Sequence, residues 1–201
     1  IICLTQEMTG EVVHQGDSVT FADLAYRSYY EPAMLGPDIS PTLEATARFA
    51  SPPTAMIHWA NATHACTCEV DTVTGQVTLT RYIVSEDVGP MINPNVVEGQ
   101  IAGGTVQGIG GALLESLVYD DDANPLATTF VDYLLPTATE VPPIEYGHVE
   151  VPGPGVGGYK GAGEGGAIGS TPAVINAIND ALAPLGVTVT RLPATPAAIA
   201  A

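Results

Sequence analysis

Lys160 and Glu164 lie four residues apart in GGYKGAGEGGAIGSTPAV, residues 157–174, and Lys160 is the only lysine of the chain. Glycine removes the side-chain wall around a backbone, so a bulky or anionic ligand can approach the main-chain N–H groups of such a segment. Glu164 projects from the middle of that opening. Ser170, Thr171 and Pro172 read as the start of a helix through AVINAINDAL. A helix start offers unpaired N–H groups and a partial positive charge. A lone carboxylate in that setting is a candidate general base. A turn whose Glu only caps the helix is an equally open reading of the spacing.

A second set of groups lies upstream. INPNVVEGQIAGGTVQGIGGALLESLVY reads as one long helix beginning near Asn93 and Pro94, a good N-cap followed by a proline in the first turn. Gln100 and Gln107 are seven apart and so share a face, where their amides could serve a bound ligand. The helix also carries Gly99, Gly103, Gly104, Gly108, Gly110 and Gly111, each costing ~1 kcal/mol relative to Ala in a helix interior. Close approach of another backbone to the small face is the structural reading, and plain packing is favoured over ligand contact on spacing alone. Glu98, Gln100, Gln107 and Glu115 interrupt any membrane-type small-residue stripe.

The other polar candidates carry less. Cys66 and Cys68 sit two apart in THACTCEVDTVTGQVTLTRYIV, which reads as strand, turn near Thr74 and Gly75, and strand. Alternate strand residues share a face, and no second ligand pair with zinc spacing follows, so these read as buried structural thiols. His58 and His64 bracket Trp59 and read as a polar, cofactor-facing loop; His14 and His148 have no identifiable partner. Asp120, Asp121 and Asp122 lack the alternation and closing Glu of a calcium loop and read as a solvated turn.

These groups must be positioned by a mixed α/β scaffold. GDSVTFADLAYRSYY reads as a short strand leading into a helix with Asp17 or Ser18 near its start, and EPAMLGPDISP as a linker. TLEATARF is β-like, SPPTAMIHWANA irregular, and a strand is expected near Glu145 to Val151. The expected organisation is a strand–helix segment and linker over residues 1–40, then a single incomplete domain over 41–201. With 22 acidic against 5 basic residues the formal charge is -17, too few cations to neutralise phosphates, which argues against nucleic acid and anionic membranes. No uncharged apolar run approaches the ~18 residues that span a bilayer. No secretory leader is visible, and IICLTQ reads like the middle of a chain. The expected location is cytoplasmic, or periplasmic if a leader belongs to the protein.

Nucleotide motifs fail on context. Residues 161–166, GAGEGG, satisfy G-x-G-x-x-G, but VPGPGVGGYK before them is not a buried strand, and no acidic residue ends a second strand at the needed distance. Neither a P-loop nor a G-x-S-x-G elbow occurs.

Taken together, INPNVVEGQIAGGTVQGIGGALLE, FVDYLLPTATEVPPIE and KGAGEGGAIGSTPAVINAINDALAPLGV resemble the C-terminal region of the molybdenum-binding large subunit of the xanthine dehydrogenase, aldehyde oxidase and aerobic carbon monoxide dehydrogenase family. The likeness runs from about Phe21 and is dense from Glu86 to Pro193, with three motifs in one order. It implies part of a molybdopterin-binding domain, with Glu164 as the active-site base beside the molybdenum and Gln100 as the amide that hydrogen-bonds the cofactor. The backbone of Lys160, Gly161, Ala162 and Gly163, and from Gly165 to Ser170, would lie against that cofactor, and the Lys160 charge would complement its phosphate.

The resemblance further implies a metal held by a pterin dithiolene, with no protein ligand. The pterin would be molybdopterin cytosine dinucleotide, and 2Fe-2S and FAD would sit on partner subunits. The chain is much shorter than a family large subunit, so it is expected to be a fragment or one piece of a split subunit, inactive alone. Because carbon monoxide-oxidising members of that family typically carry a different pair where Gly165 and Gly166 follow Glu164 here, the resemblance implies hydroxylation of an aldehyde or N-heterocycle, with water as oxygen source, over carbon monoxide oxidation. The competing class is an acidic, non-catalytic assembly module whose glycines serve packing.

Overall fold

Asp71 closes the longest hairpin of the chain. Its Oδ1 accepts from Val73 N at 2.8 Å and Thr74 N at 3.0 Å, and Gly75 takes φ +74°, so the strands on either side are forced antiparallel. The computed structural model describes residues 4–5, 11–14, 17–37, 40, 42–44, 46, 48 and 59–200. They divide into two units, Ile1–Ala50 and Ser51–Ala201.

In the first unit, strands β1 (Leu4–Thr5), β2 (Glu11–His14) and β3 (Asp17–Thr20) form an antiparallel meander that leads straight into helix α1 (Phe21–Tyr30). The helix cap is Thr20, whose Oγ1 accepts from Asp23 N at 3.1 Å; Asp17 and Ser18 belong to β3 instead. Thr20 wins because its hydroxyl sits three residues before the first free amide it can reach. The β-like stretch 42–49 is not strand at any of its described residues, having no partner strand among them.

The second unit is built on β4 (Asn61–Val70), β5 (Val77–Asp87) and β6 (Ile144–His148). β4 and β5 pair antiparallel with a bulge between Thr67 and Cys68; β6 joins β5 in parallel, Tyr82 opposite Ile144 and Glu86 opposite His148. Helix α2 runs from Pro94 to Leu113, its Asn93 cap accepting from Val96 N. Helix α3 runs from Gly165 to Leu182, and a short α4 from Pro196 to Ala200. α3 lies across β4, and α2 packs on α3. Tyr82 and Val84 of β5, Ile101 and Ile109 of α2, and Val174 and Ile178 of α3 meet in one buried core.

Cys66 and Cys68 share the half-buried face of β4, and the Cys66 thiol donates to the Ala173 carbonyl at 3.4 Å. Burial pushes the Cys66 thiol up to about 11, which keeps it protonated and unreactive near neutral pH. His64 is a strand residue, not a loop residue, and its Nδ1 meets the Tyr82 hydroxyl at 3.0 Å. Burial lowers the basicity of its ring, which the Gly165 backbone partly offsets. His58 lies outside the described residues.

α3 starts more than a turn earlier than Ser170-Thr171-Pro172 suggests, and Pro172 is inside it. Two tertiary contacts offset that break in the helix. The Thr171 hydroxyl donates to the Gly108 carbonyl of α2 at 2.9 Å. Gly166 and Ala167 press on Gly104, where an added Cβ would stand 2.8 Å from Ala167 N and 3.0 Å from Gly166 Cα. Packing of this kind, not propensity, supplies most helical stability in a folded protein. The small face of α2 therefore does what its glycines suggest: it lets α3 approach.

Candidate active site

The close crossing of α2 and α3 brings Gln100, Gln107 and Glu164 to one cleft. Gln100 and Gln107 lie two turns apart on α2, and together with Gly103, Gly163, Glu164 and Ile168 they line a cavity of about 530 Å³. A second cavity of about 420 Å³ lies on the other side of Gly163, Glu164 and Ile168, with Trp59, Ala60 and Ala62 along its wall. Glu164 thus faces both. It occupies the N-cap position of α3, yet its side chain makes no capping hydrogen bond, so the carboxylate is not spent on the helix. The reading of Glu164 as a mere cap does not hold.

The walls suit a large polar ligand with its own charge. A Cβ built on Gly99, Gly103 or Gly161 meets nothing within 4 Å, and one on Gly163 comes no closer than 4.0 Å to Gln100 Oε1. The backbone is therefore bare along the cleft. The donors are two neutral amides and main-chain N–H groups beside the N-terminus of α3, the combination that binds an anionic group. Among the described residues, no group of three or more His, Cys, Asp and Glu is placed to hold a metal ion. The two amides and the bare main-chain N–H groups fit the polar, anionic edge of an organic cofactor.

The profile of the molybdopterin cofactor-binding domain family matches residues 4–142. The chain belongs to that family. Among relatives of this molybdopterin-binding chain, the nicotine 6-hydroxylase large subunit of Paenarthrobacter nicotinovorans is 43% identical over 89% of the chain and 22% of the relative. The carbon monoxide dehydrogenase large chain of Hydrogenophaga pseudoflava is 35% identical over 88% of the chain and 21% of the relative. The crystal structure of quinoline 2-oxidoreductase from Pseudomonas putida 86 superposes with a TM-score of 0.77 at 42% identity, over 94% of the chain and 24% of that protein. The chain thus spans about a quarter or less of the length of these proteins. No described helix is long and apolar enough to cross a membrane.

The remaining expected contacts of this molybdopterin-binding chain divide. Gly161 and Gly165 line the second cavity with Glu164. Lys160 does not present a free charge: its Nζ lies 2.5 Å from Asp87 Oδ2, with the two side chains only 8% and 11% exposed. Ser170 is fully buried between α2 and α3, donating to the Ala167 carbonyl at 3.1 Å, and Gly108 makes room for it. Ala162 lines neither cavity. Lys160 and Ser170 were legible as conspicuous residues, but the ion-pair partner of the first comes from β5 and the packing neighbour of the second from α2.

Glu86 and Asp87 escape a reading by motif. Glu86 is 1% exposed and neither of its carboxylate oxygens has a hydrogen-bond partner. Burial raises its pKa above the ordinary glutamate range, against a smaller opposing effect of His148. His148 in turn lies 3.5 Å from Glu98 Oε1 on α2, but neither of its ring nitrogens makes a hydrogen bond. A signal does exist: Tyr82, Val84 and Glu86 alternate along β5, which puts a carboxylate on the buried face.

Proposed function

We propose that this chain is the cofactor- and active-site-bearing portion of a molybdenum hydroxylase, with Glu164 as its base and Gln100 as its cofactor contact. The observation that carries this reading is Glu164 standing uncapped between two cavities, with Gln100 across one of them. The favoured substrate is an N-heterocycle or aldehyde. Support comes from the names of the relatives: a nicotine hydroxylase and a quinoline oxidoreductase stand at 43% and 42% identity, a carbon monoxide dehydrogenase at 35%. The pterin is proposed to be molybdopterin cytosine dinucleotide. Proposed partners are the remainder of the large subunit and subunits carrying 2Fe-2S and FAD, in keeping with relatives named as subunits of larger enzymes.

When bound, the molybdenum–pterin group supplies the two-electron acceptor and activates water as the oxygen source. The residues of this chain do the rest. The Glu164 carboxylate, exposed at the junction of the cavities, accepts a proton at one of its oxygens. The Gln100 amide orients polar ligand atoms from the α2 side and stabilises charge that develops there. Gly161, Gly163 and Gly165 let the backbone come close without a side chain intervening. Lys160 contributes through its main chain, its ammonium being paired with Asp87.

The test is Glu164→Gln in the assembled full-length enzyme, with molybdenum and pterin nucleotide measured on the same preparation. Turnover is expected to fall by a factor of ~10² or more with cofactor content retained. Turnover within a few-fold of wild type would show that Glu164 is not the base. Full activity in a preparation lacking molybdenum and pterin nucleotide would remove the whole reading.

A further inference from the structure

Between Lys160 and the start of α3 the Glu164 loop has almost no packing of its own. Among the described residues, a Cβ on Gly161 touches nothing within 4 Å, Gly163 lies open beside Gln100, and no backbone hydrogen bond outside helices and strands involves residues 161–163. The position of Glu164 must therefore be set at the two ends of the loop. The downstream end is α3, held by its crossing with α2. The upstream end is Lys160.

Lys160 is anchored twice. Its main-chain N–H donates to the Val88 carbonyl at 2.8 Å, and its ammonium donates to Asp87 Oδ2 at 2.5 Å. Asp87 is itself fixed, because its other oxygen accepts from Gly89 N at 3.0 Å and from Val151 N at 3.1 Å. One buried carboxylate thus ties together the end of β5, the turn after it, the segment after β6 and the head of the Glu164 loop. Gly89 packs directly on the Gly158 carbonyl, so the segment preceding Lys160 is held from the same turn. A charge-assisted bond of this kind is short and directional, and breaking one partner leaves the other buried and unpaired.

We propose that the Asp87–Lys160 ion pair is the positioning device of the active-site loop, setting the placement of the Glu164 carboxylate relative to Gln100. Lys160 and Asp87 are positioning residues; neither lines the cavities. The inference rests on the assignment of Glu164 as the base. A shift of about 1 Å in a catalytic group can cost ~10² in rate, so loss of the pair should act on the chemical step before it acts on binding or folding.

The experiment uses the assembled full-length enzyme as wild type, Lys160→Met, Lys160→Arg, Asp87→Asn and Glu164→Gln. Steady-state kinetics, molybdenum content and residue-resolved hydrogen exchange are measured on each. Lys160→Met is expected to lower kcat tenfold or more, with KM and molybdenum content within about twofold of wild type. Exchange should rise at least fivefold at the residue-160 amide, the loop amide held by the Val88 carbonyl, and stay unchanged in β5, α2 and α3. Lys160→Arg, which keeps the charge, should recover most of both readouts. If Lys160→Met does not assemble, Asp87→Asn, which keeps the shape of its side chain, is read by the same criteria.

Unchanged loop exchange with kcat within twofold would overturn the proposal. So would exchange rising equally across β5, α2 and α3, because the pair would then serve only global stability. Glu164→Gln separates the two ideas: an active Glu164→Gln enzyme removes the base assignment, whereas loop exchange in the Lys160 variants still reports whether the tether exists.

Discussion

Glu86 and Asp87, consecutive at the end of β5, bracket the Glu164 loop from opposite sides. Asp87 takes the Lys160 ammonium, four residues before Glu164, while the Glu86 carboxylate lies against Gly165, one residue after it, and leaves no room there for a Cβ. The alternation of a strand sends neighbouring side chains to opposite faces, so one short segment can reach both flanks of the loop. Their electrostatic surroundings are opposite too: Asp87 has a cation and two amides, Glu86 has no hydrogen-bond partner.

Asp87 should stabilise the protein only while it is ionised. The Lys160 hydrogen bond, helped by the Gly89 amide, holds its pKa down to about 2. A carboxylate depressed in the folded state contributes stability above its unfolded pKa of about 4 and loses it as the pH falls through the folded value. Asp87→Asn should therefore be less stable than wild type at neutral pH, with the gap closing between about pH 4 and 2. Denaturant unfolding of both proteins across that range checks it. A gap that stays constant with pH would mean that the charge of Asp87 is not what matters.

Glu86 should behave in the reverse sense. Its folded pKa is raised, chiefly by burial, so the protonated form suits the fold and ionisation opposes it. Wild-type stability should then decline as the pH rises above about 4, relative to a variant that cannot ionise. Glu86→Gln keeps the shape and removes the charge, and its midpoint of unfolding should rise relative to wild type from acid toward neutral pH. A midpoint that falls relative to wild type over that range would indicate a partner for the Glu86 carboxylate.

The α2–α3 crossing should tolerate little added volume. A Cβ on Gly104 would approach Ala167 N and Gly166 Cα, both main-chain atoms that cannot rotate away. Gly104→Val should cost about 1–3 kcal/mol by overpacking. It should also separate Gln100 from Glu164 and lower cofactor retention. Gly111, which lines neither cavity and whose Cβ would meet only Thr171 Oγ1 at 3.8 Å, is the control: Gly111→Ala should be neutral or slightly stabilising, since Ala is the better helix former by ~1 kcal/mol. Thermal melts of both variants, with molybdenum content, decide between packing and propensity.

Local chemistry carried much of the architecture in readable form. Thr74-Gly75 is a turn by its residue types, Asn93-Pro94 is a helix start, and Val77, Thr78, Thr80, Ile83 and Val84 mark the second strand of the hairpin. The glycine spacing of α2 announced a close neighbour without naming it. The true start of α3 was not legible: glycines at 165, 166 and 169 oppose a helix locally, and Pro172 mimics a first turn. The crossing with α2 overrides both.

The sequence by itself determined which groups are available: Glu164 among glycines, two glutamines on one helical face, one lysine, and too few cations for a polyanion. Each follows from residue identity and short-range spacing. Only the tertiary structure decided how they are used. It set Gln100 across from Glu164, turned Lys160 onto Asp87, sank Ser170 between two helices and put Glu86 beneath Gly165. Lys160 and Asp87 are separated by 73 residues. A contact over that distance is fixed by packing of the whole sheet and helix pair, which no local pattern records.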